Sequence, residues 1–271
     1  MYEAYWKLKR RPFESGANPR AYYPSDAHQG ALLKLRYAIE HEHAAALLAG
    51  APGTGKTLLV RLLAEQLPDR YRPVVELVFP QMPPGELLAY LAAELGAGAS
   101  GPASIAENVG RIARELDERR AKGRHTVVVV DDAQMLESQR SFDALRLLLN
   151  LEADGRPLTT LLLVGQPALL PMLERMPHLD ERLGAKCLIR PLTIEETMSY
   201  VSHRMTVAGA TGMVFEPSAL ETLFLLTRGV PRRINRLCDL ALLVGFAEEQ
   251  RSICAEHIEA VAKELAVAAV E

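Results

Sequence analysis

The chain has 271 residues, 49% of them hydrophobic and 24% charged, and carries a net charge of −3, which suits one large globular domain or two modest ones. That balance excludes a global basic field for nucleic acid or anionic lipid and leaves only a local basic patch open. Three widely spaced cysteines, Cys187, Cys238 and Cys254, with no C-x-x-C pair, argue against a disulfide framework or a zinc site and predict buried reduced thiols in a cytosolic protein. The polar, aromatic start of the chain has no signal-peptide core, and no run of about 18 apolar residues predicts a membrane span; Leu158 to Leu173 is interrupted by Gly165, Gln166, Pro167 and Pro171.

Residues 1–24 are rich in Tyr, Arg and Pro, with Tyr2, Tyr5, Trp6, Phe13, Tyr22 and Tyr23, and read as an ordered arm packed on the core that follows. Ser25 can cap a helix on which His28, Leu32, Leu35 and Ile39 share one face. His41 and His43, two apart, face different directions and read as a solvated helix end rather than a metal site. Ala44 to Ala49 is an apolar run that predicts a buried strand. Then comes Gly50-Ala51-Pro52-Gly53-Thr54-Gly55-Lys56-Thr57, and from Leu58 to Leu67 a helix stopped by Pro68. Strand, G-x-x-x-x-G-K-[ST], helix is the setting of the Walker A phosphate loop. Gly53 and Gly55 let backbone N–H groups converge on phosphate oxygens, and the helix that starts here turns its positive end toward an anion. Lys56 can reach the β- and γ-phosphates, and the Thr57 hydroxyl can ligate Mg²⁺. The alternative is a glycine turn that matches by chance.

Pro73 to Phe79 predicts a second strand, Pro83 and Pro84 start a helix through Leu95, and Gly96 to Pro102 is a loop. Ser104 to Lys122 predicts an amphipathic helix whose arginines alternate with acids, a solvated face rather than a nucleic-acid surface. Val127 to Val130 is the signature of a central parallel strand buried on both faces. Ser138 to Leu151 predicts a helix, Thr159 to Val164 a strand, and Lys186 to Arg190 a short fifth strand. The alternation argues a three-layer α/β sandwich on a parallel five-stranded sheet over residues 25–192. From Thr193 the pattern is helical only: Ile194 to Ala208, Pro217 to Thr227, Pro231 to Glu248 and Ala255 to Ala269, a small all-helical domain over residues 193–271.

Asp131 closes the strand Val127 to Val130 as a Walker B acid would, to hold the Mg²⁺ shell opposite Thr57. Asp132 stands where a carboxylate can orient and deprotonate a water; paired acids here could instead cap the next helix. Gln166 follows the strand Thr159 to Gly165 and can touch a γ-phosphate or its water, or serve as a simple turn residue. Arg182, in Leu179-Asp180-Glu181-Arg182-Leu183, is either an arginine finger for a neighbouring subunit or an ion-pair partner of Asp180 or Glu181. Arg232, in Gly229-Val230-Pro231-Arg232-Arg233-Ile234-Asn235, sits in a helix's first turn, where its charge opposes the dipole and a bound phosphate would explain it.

Together these residues resemble the AAA+ ATPases and, within them, the ATPase domain of the general secretion pathway protein A (ExeA-type) family. The likeness runs from Met1-Tyr2-Glu3, Pro12-Phe13 and Asn18-Pro19 through Asp131-Asp132-Ala133-Gln134 and Val164-Gly165-Gln166-Pro167 to Arg190-Pro191-Leu192 and Gly229-Val230-Pro231-Arg232. The resemblance implies an ATP hydrolase with ATP and Mg²⁺ bound by Gly50 to Leu58, sensor roles for Gln166 and Arg232, a finger role for Arg182, and an ATP-dependent homo-oligomer. It also implies a helical lid closing on the nucleotide and a partner moved by hydrolysis, in secretion, envelope or exopolysaccharide assembly. The family usually has Glu where Asp132 stands, so turnover is in question. The chain ends at Glu271 without the membrane span and periplasmic part of longer members, and so is similar to short soluble ones, cytoplasmic or held at the inner membrane by a partner. The alternatives are a DNA-acting regulator of the transposition type, kept open by Arg228, Arg232, Arg233 and Arg236, and a slow-hydrolysing ATP-gated scaffold, suggested by Asp132.

Overall fold

The computed structural model describes residues 1–14, 16, 18–78, 80–97, 103–136 and 139–267. Phe79, most of the Gly96 to Pro102 loop, Ser138 and the last helix beyond residue 267 lie outside them. The elements in chain order are α1 (Asp26–Glu40), β1 (Ala45–Gly50), α2 (Lys56–Gln66), β2 (Val75–Leu77), α3 (Pro84–Glu94), α4 (Ile105–Ala121), β3 (Thr126–Val130), α5 (Gln139–Leu148), β4 (Glu152–Ala153), β5 (Arg156–Pro157), β6 (Thr159–Gly165), α6 (Leu169–Glu174), α7 (Pro177–Asp180), β7 (Leu183–Ile189), α8 (Ile194–Val207), α9 (Pro217–Thr227), α10 (Pro231–Ala247) and α11 (Ala255–Val267). They divide into two compact units, one of Ala27–Ala51 and Leu59–Ile189, the other of Met1–Asp26, Pro52–Leu58 and Arg190–Glu271.

The first unit is built on a parallel sheet of order β2-β3-β6-β1-β7. The three inner strands are buried at every position, as continuous apolar runs require when both faces are covered. The outer strands β2 and β7 expose alternate residues, among them Glu76 and Lys186, which protects the sheet's edges. One face packs Leu47, Val128, Val130, Leu161 and Leu163 against α3 and α5 through Leu87, Leu88, Leu91, Leu145 and Leu148. On the other, Val127, Val129 and Leu162 meet Ile39 of α1, Val60 and Leu63 of α2, and Leu67 just after it. Ser104 closes a capping box with Glu107 at the start of α4.

The second unit is helical. Its core joins Tyr200, Val201, Met205, Phe215, Leu223, Ile234, Cys238, Leu242 and Ile258 to Tyr2, Trp6, Leu8 and Phe13 of the N-terminal arm. The arm expected on the α/β core is therefore part of the helical core. Four short helices leave an apolar face too large to expose, and the arm's aromatics cover it. Polar groups fix the arrangement. The Trp6 Nε1–H donates to Leu242 O at 2.9 Å, and Lys9 N to Ala208 O at 2.8 Å. The nearly buried Arg204 donates to Pro12 O at 2.7 Å and to the Tyr200 hydroxyl at 2.9 Å, and that hydroxyl donates to Asn235 at 2.7 Å. Thr193 caps α8 in a box with Glu196. Cys187 and Cys238 are buried thiols, while Cys254, expected to be buried too, is half-buried at the start of α11.

Candidate nucleotide-binding site

The carboxyl ends of β1, β6 and β3 lie side by side, with Ala49 opposite Gly165 and Val130 opposite Leu163. Three of the expected residues thus share one edge of the first unit: Asp131 and Asp132 directly after β3 and Gln166 directly after β6, beside Gly50 and Ala51 at the end of β1. Asp132 is exposed and holds a left-handed backbone, φ 47° and ψ 41°. That is an unusual conformation for a residue with a side chain, and such strain concentrates at functional positions. Its N–H donates to Asp131 Oδ1 at 2.9 Å.

Gln134, to which sequence reasoning assigned no role, is the residue that binds this edge together. Its Nε2 donates to Asp132 Oδ1 and its Oε1 accepts from Gln166 N, both at 2.9 Å. It stands two positions after the second acid, in a short 3-10 turn, Ala133–Met135. What the sequence could not give is its partner 32 residues away.

The phosphate-loop segment Pro52–Leu58 belongs to the second unit. Gly53 and Gly55 have φ of 81° and 98°, the left-handed region that glycine enters freely. Thr54 is fully buried and Lys56, first residue of α2, is 9% exposed, whereas Thr57 is exposed in the helix's first turn. Arg232, exposed at the second position of α10, donates its backbone N–H to Gly53 O at 3.2 Å. A Cβ on Gly53 would lie 2.7 Å from Arg232 Cβ, so glycine is required here twice, by conformation and by contact. The loop and the start of α10, expected as separate parts of a site, are directly joined.

Arg182 is not brought to the sheet edge that carries Asp131, Asp132 and Gln166. It precedes β7, and its carbonyl accepts from Ala45 N at the start of β1, which sets it at the amino edge. β7 runs seven residues, so the two edges lie roughly 20 Å apart at about 3.3 Å per residue. Its guanidinium donates to Leu149 O at 2.8 Å, while Asp180, a suggested ion-pair partner, takes Lys186 at 2.6 Å.

The sheet edge of the first unit thus carries the carboxylates of Asp131 and Asp132, and the loop of the second unit carries the nearly buried Lys56 and the exposed Thr57 hydroxyl. Residues 39–173 match the AAA domain family. The chain is 35% identical over 267 residues to general secretion pathway protein A of Aeromonas hydrophila, covering 98% of this chain and 48% of that protein. It thus spans about half the length of the curated relative it matches. Solved structures with the same fold include the Aeropyrum pernix ORC1 protein in complex with DNA, with a TM-score of 0.68 at 19% identity over 90% of this chain and 67% of that one. Cdc6p of Pyrobaculum aerophilum has a TM-score of 0.68 at 18% identity, over 93% of this chain and 70% of that one. The RuvB Holliday junction branch migration motor of Thermotoga maritima has 0.60 at 19%, over 89% and 70%.

Proposed function

Because this chain belongs to the AAA+ ATPases, we propose that it binds ATP with Mg²⁺, hydrolyses it, and passes the resulting change through α10 to a partner complex in secretion or envelope assembly. The observation that carries this reading is the hydrogen bond from Arg232 N to Gly53 O. Through it, a shift in the phosphate loop is a shift at the start of α10.

The residues fit the groups the family uses. The positive-φ glycines Gly53 and Gly55 open the loop to phosphate oxygens without Cβ interference, and the start of α2 adds the positive end of its dipole. Thr57 and Asp131 supply hydroxyl and carboxylate oxygens, the donors that Mg²⁺ prefers. When bound, Mg²⁺ would neutralise the charge that develops on the phosphate oxygens. Lys56 would add its ammonium to the same task. Asp132 would take the proton of the attacking water, Gln166 would orient that water, and Arg232 would face the γ-phosphate.

Arg182, at the far edge of the sheet, would act in this reading on a neighbouring copy's nucleotide, in a homo-oligomer with shared sites, after release from Leu149 O. No helix among the described residues is long and apolar enough to cross a membrane, and attachment at the inner membrane would run through the partner. The similarity to a general secretion pathway protein supports the choice of process.

Lys56→Ala is expected to remove ATP binding itself, measured by equilibrium titration with a fluorescent ATP analogue and Mg²⁺. Affinity within about twofold of wild type would contradict the site, since the lysine's contacts to β- and γ-phosphates would then contribute nothing. A second reading, a regulator acting on DNA, is favoured by Arg228, Arg232, Arg233 and Arg236, all exposed or half-exposed around the α9–α10 junction. It requires a DNA affinity that appears with ATP and falls steeply with salt; no such affinity with ATP and Mg²⁺ present removes it.

A further inference from the structure

We propose that Gln134 is a positioning residue for hydrolysis: it clips the Asp132 carboxylate to the end of β6 and so couples the water-activating acid to the backbone of Gln166. The proposal rests on the reading of Asp132 as that acid.

Three hydrogen bonds form one continuous chain across the sheet edge. Asp132 N donates to Asp131 Oδ1, Gln134 Nε2 donates to Asp132 Oδ1, and Gln166 N donates to Gln134 Oε1, each at 2.9 Å. The direction of the amide is dictated by its neighbours. A backbone N–H can only meet the carbonyl oxygen, and an ionised carboxylate can only meet the NH₂. No other uncharged side chain of this reach offers both ends at once. Glutamate would keep the acceptor toward Gln166 but set a second carboxylate against Asp132.

The fold leaves room for the clip. A Cβ built on Gly165 would lie 2.3 Å from Gln134 Oε1 and 2.5 Å from Leu169 Cδ1, so the amide occupies space that any side chain at residue 165 would claim. Gln166, the residue read as a γ-phosphate sensor, is the next residue in the chain. Movement of Gln166 would therefore pull directly on the Asp132 carboxylate.

The clip also answers the question that Asp132 raises. A carboxylate one methylene shorter than glutamate must be aimed accurately to reach its water. The left-handed backbone at Asp132 sets the direction of its side chain, and the Gln134 amide then fixes the plane of the carboxylate. With Oδ1 engaged, Oδ2 is the proton acceptor. In hydrolysis the water oxygen bonds to the γ-phosphorus, the bond to the β,γ-bridging oxygen of the leaving diphosphate breaks, and one water proton passes to Asp132 Oδ2.

The test uses Gln134→Met, which keeps the length of the side chain and removes both hydrogen bonds, together with Gln134→Glu and Asp132→Asn. Gln134→Met is expected to slow steady-state phosphate release by about tenfold or more, with KM for ATP and the affinity for an ATP analogue within about twofold. Gln134→Glu, which keeps the acceptor toward Gln166 N and loses the donor toward Asp132, is expected to slow phosphate release as Gln134→Met does while Gln166 exchange stays within about twofold of wild type. A merely structural residue would not separate the two readouts. In the nucleotide-free protein, the Gln166 amide is expected to exchange its hydrogen about tenfold faster in Gln134→Met than in wild type. That readout needs no turnover and decides the clip on its own. An unchanged Gln166 exchange rate, or an unchanged turnover rate in Gln134→Met, overturns the proposal. If Asp132→Asn turns over like wild type, the reading of Asp132 falls; if it is inactive while Gln134→Met is normal, only the clip falls.

Discussion

His125 is the residue whose chemistry most clearly sets a property of the whole protein. It is 3% exposed, directly before β3, with Nε2 at 2.9 Å from Thr160 Oγ1 and Nδ1 without a hydrogen-bond partner among the described residues. Burial disfavours its charged form and lowers its pKa from 6.5 to about 4. Between those values the unfolded chain binds a proton at this site and the folded chain does not, so stability is lost as pH falls from about 6.5 toward 4. The loss from this one group is on the order of 3 kcal/mol at most. Urea unfolding at pH 7 and pH 4.5 is expected to show a smaller acid destabilisation in His125→Gln than in wild type; equal losses would mean that His125 is not buried neutral. The same scale holds the limits of what was readable. Lys56, Thr57, Asp131, Asp132, Gln166 and Arg232 each announced themselves by a motif or by a place at the end of an apolar run. Gln134 did not, because a glutamine acquires meaning only from its partners, and those lie on two different strand ends.

At the scale of elements, the inner strands β1, β3 and β6 were legible because burial on both faces demands uninterrupted apolar residues. Two helices of the second unit, α9 and α10, were legible from prolines at their starts. The hairpin of β4 and β5 was missed although its signal was there: Asp154 and Gly155 both have positive φ, as a two-residue turn of this kind requires. Its strands are two residues each, too short for any periodicity to register. The helices α6 and α7 were missed for the same reason, being about one turn long. Composition showed that the N-terminal arm would be ordered but not which core it would join, since aromatic residues mark burial without naming a partner. The arm's anchor is Trp6, which donates to Leu242 O and lies where a Cβ on Gly245 would approach its ring to 3.0 Å. Trp6→Ala is expected to destabilise the helical unit by about 3–5 kcal/mol, the cost of a large buried aromatic plus the cavity it leaves. Thermal unfolding checks this, and a midpoint unchanged within a degree or two would show the arm to be dispensable.

For the whole molecule, the proposed function assigns different tasks to the two units. One carries Asp131, Asp132 and Gln166 at a sheet edge, and the other carries the phosphate loop, bonded to the start of α10. The strand order β2-β3-β6-β1-β7 sets β6 directly beside β3, which is why Gln166 and Asp132 can share one glutamine. Arg182, at the opposite edge, donates to Leu149 O within its own chain, and its proposed part in hydrolysis requires a second copy. The account as a whole depends on Asp132 serving as the proton acceptor despite its short side chain. The most direct test is steady-state phosphate release with ATP and Mg²⁺ from wild type and from Asp132→Asn, with ATP affinity measured on both. The account predicts measurable release by wild type, and in Asp132→Asn a fall of about a hundredfold or more, within the range of a lost general base, while ATP affinity stays within a few-fold. Equal rates for the two proteins, or no release by wild type under any oligomeric condition, would contradict it.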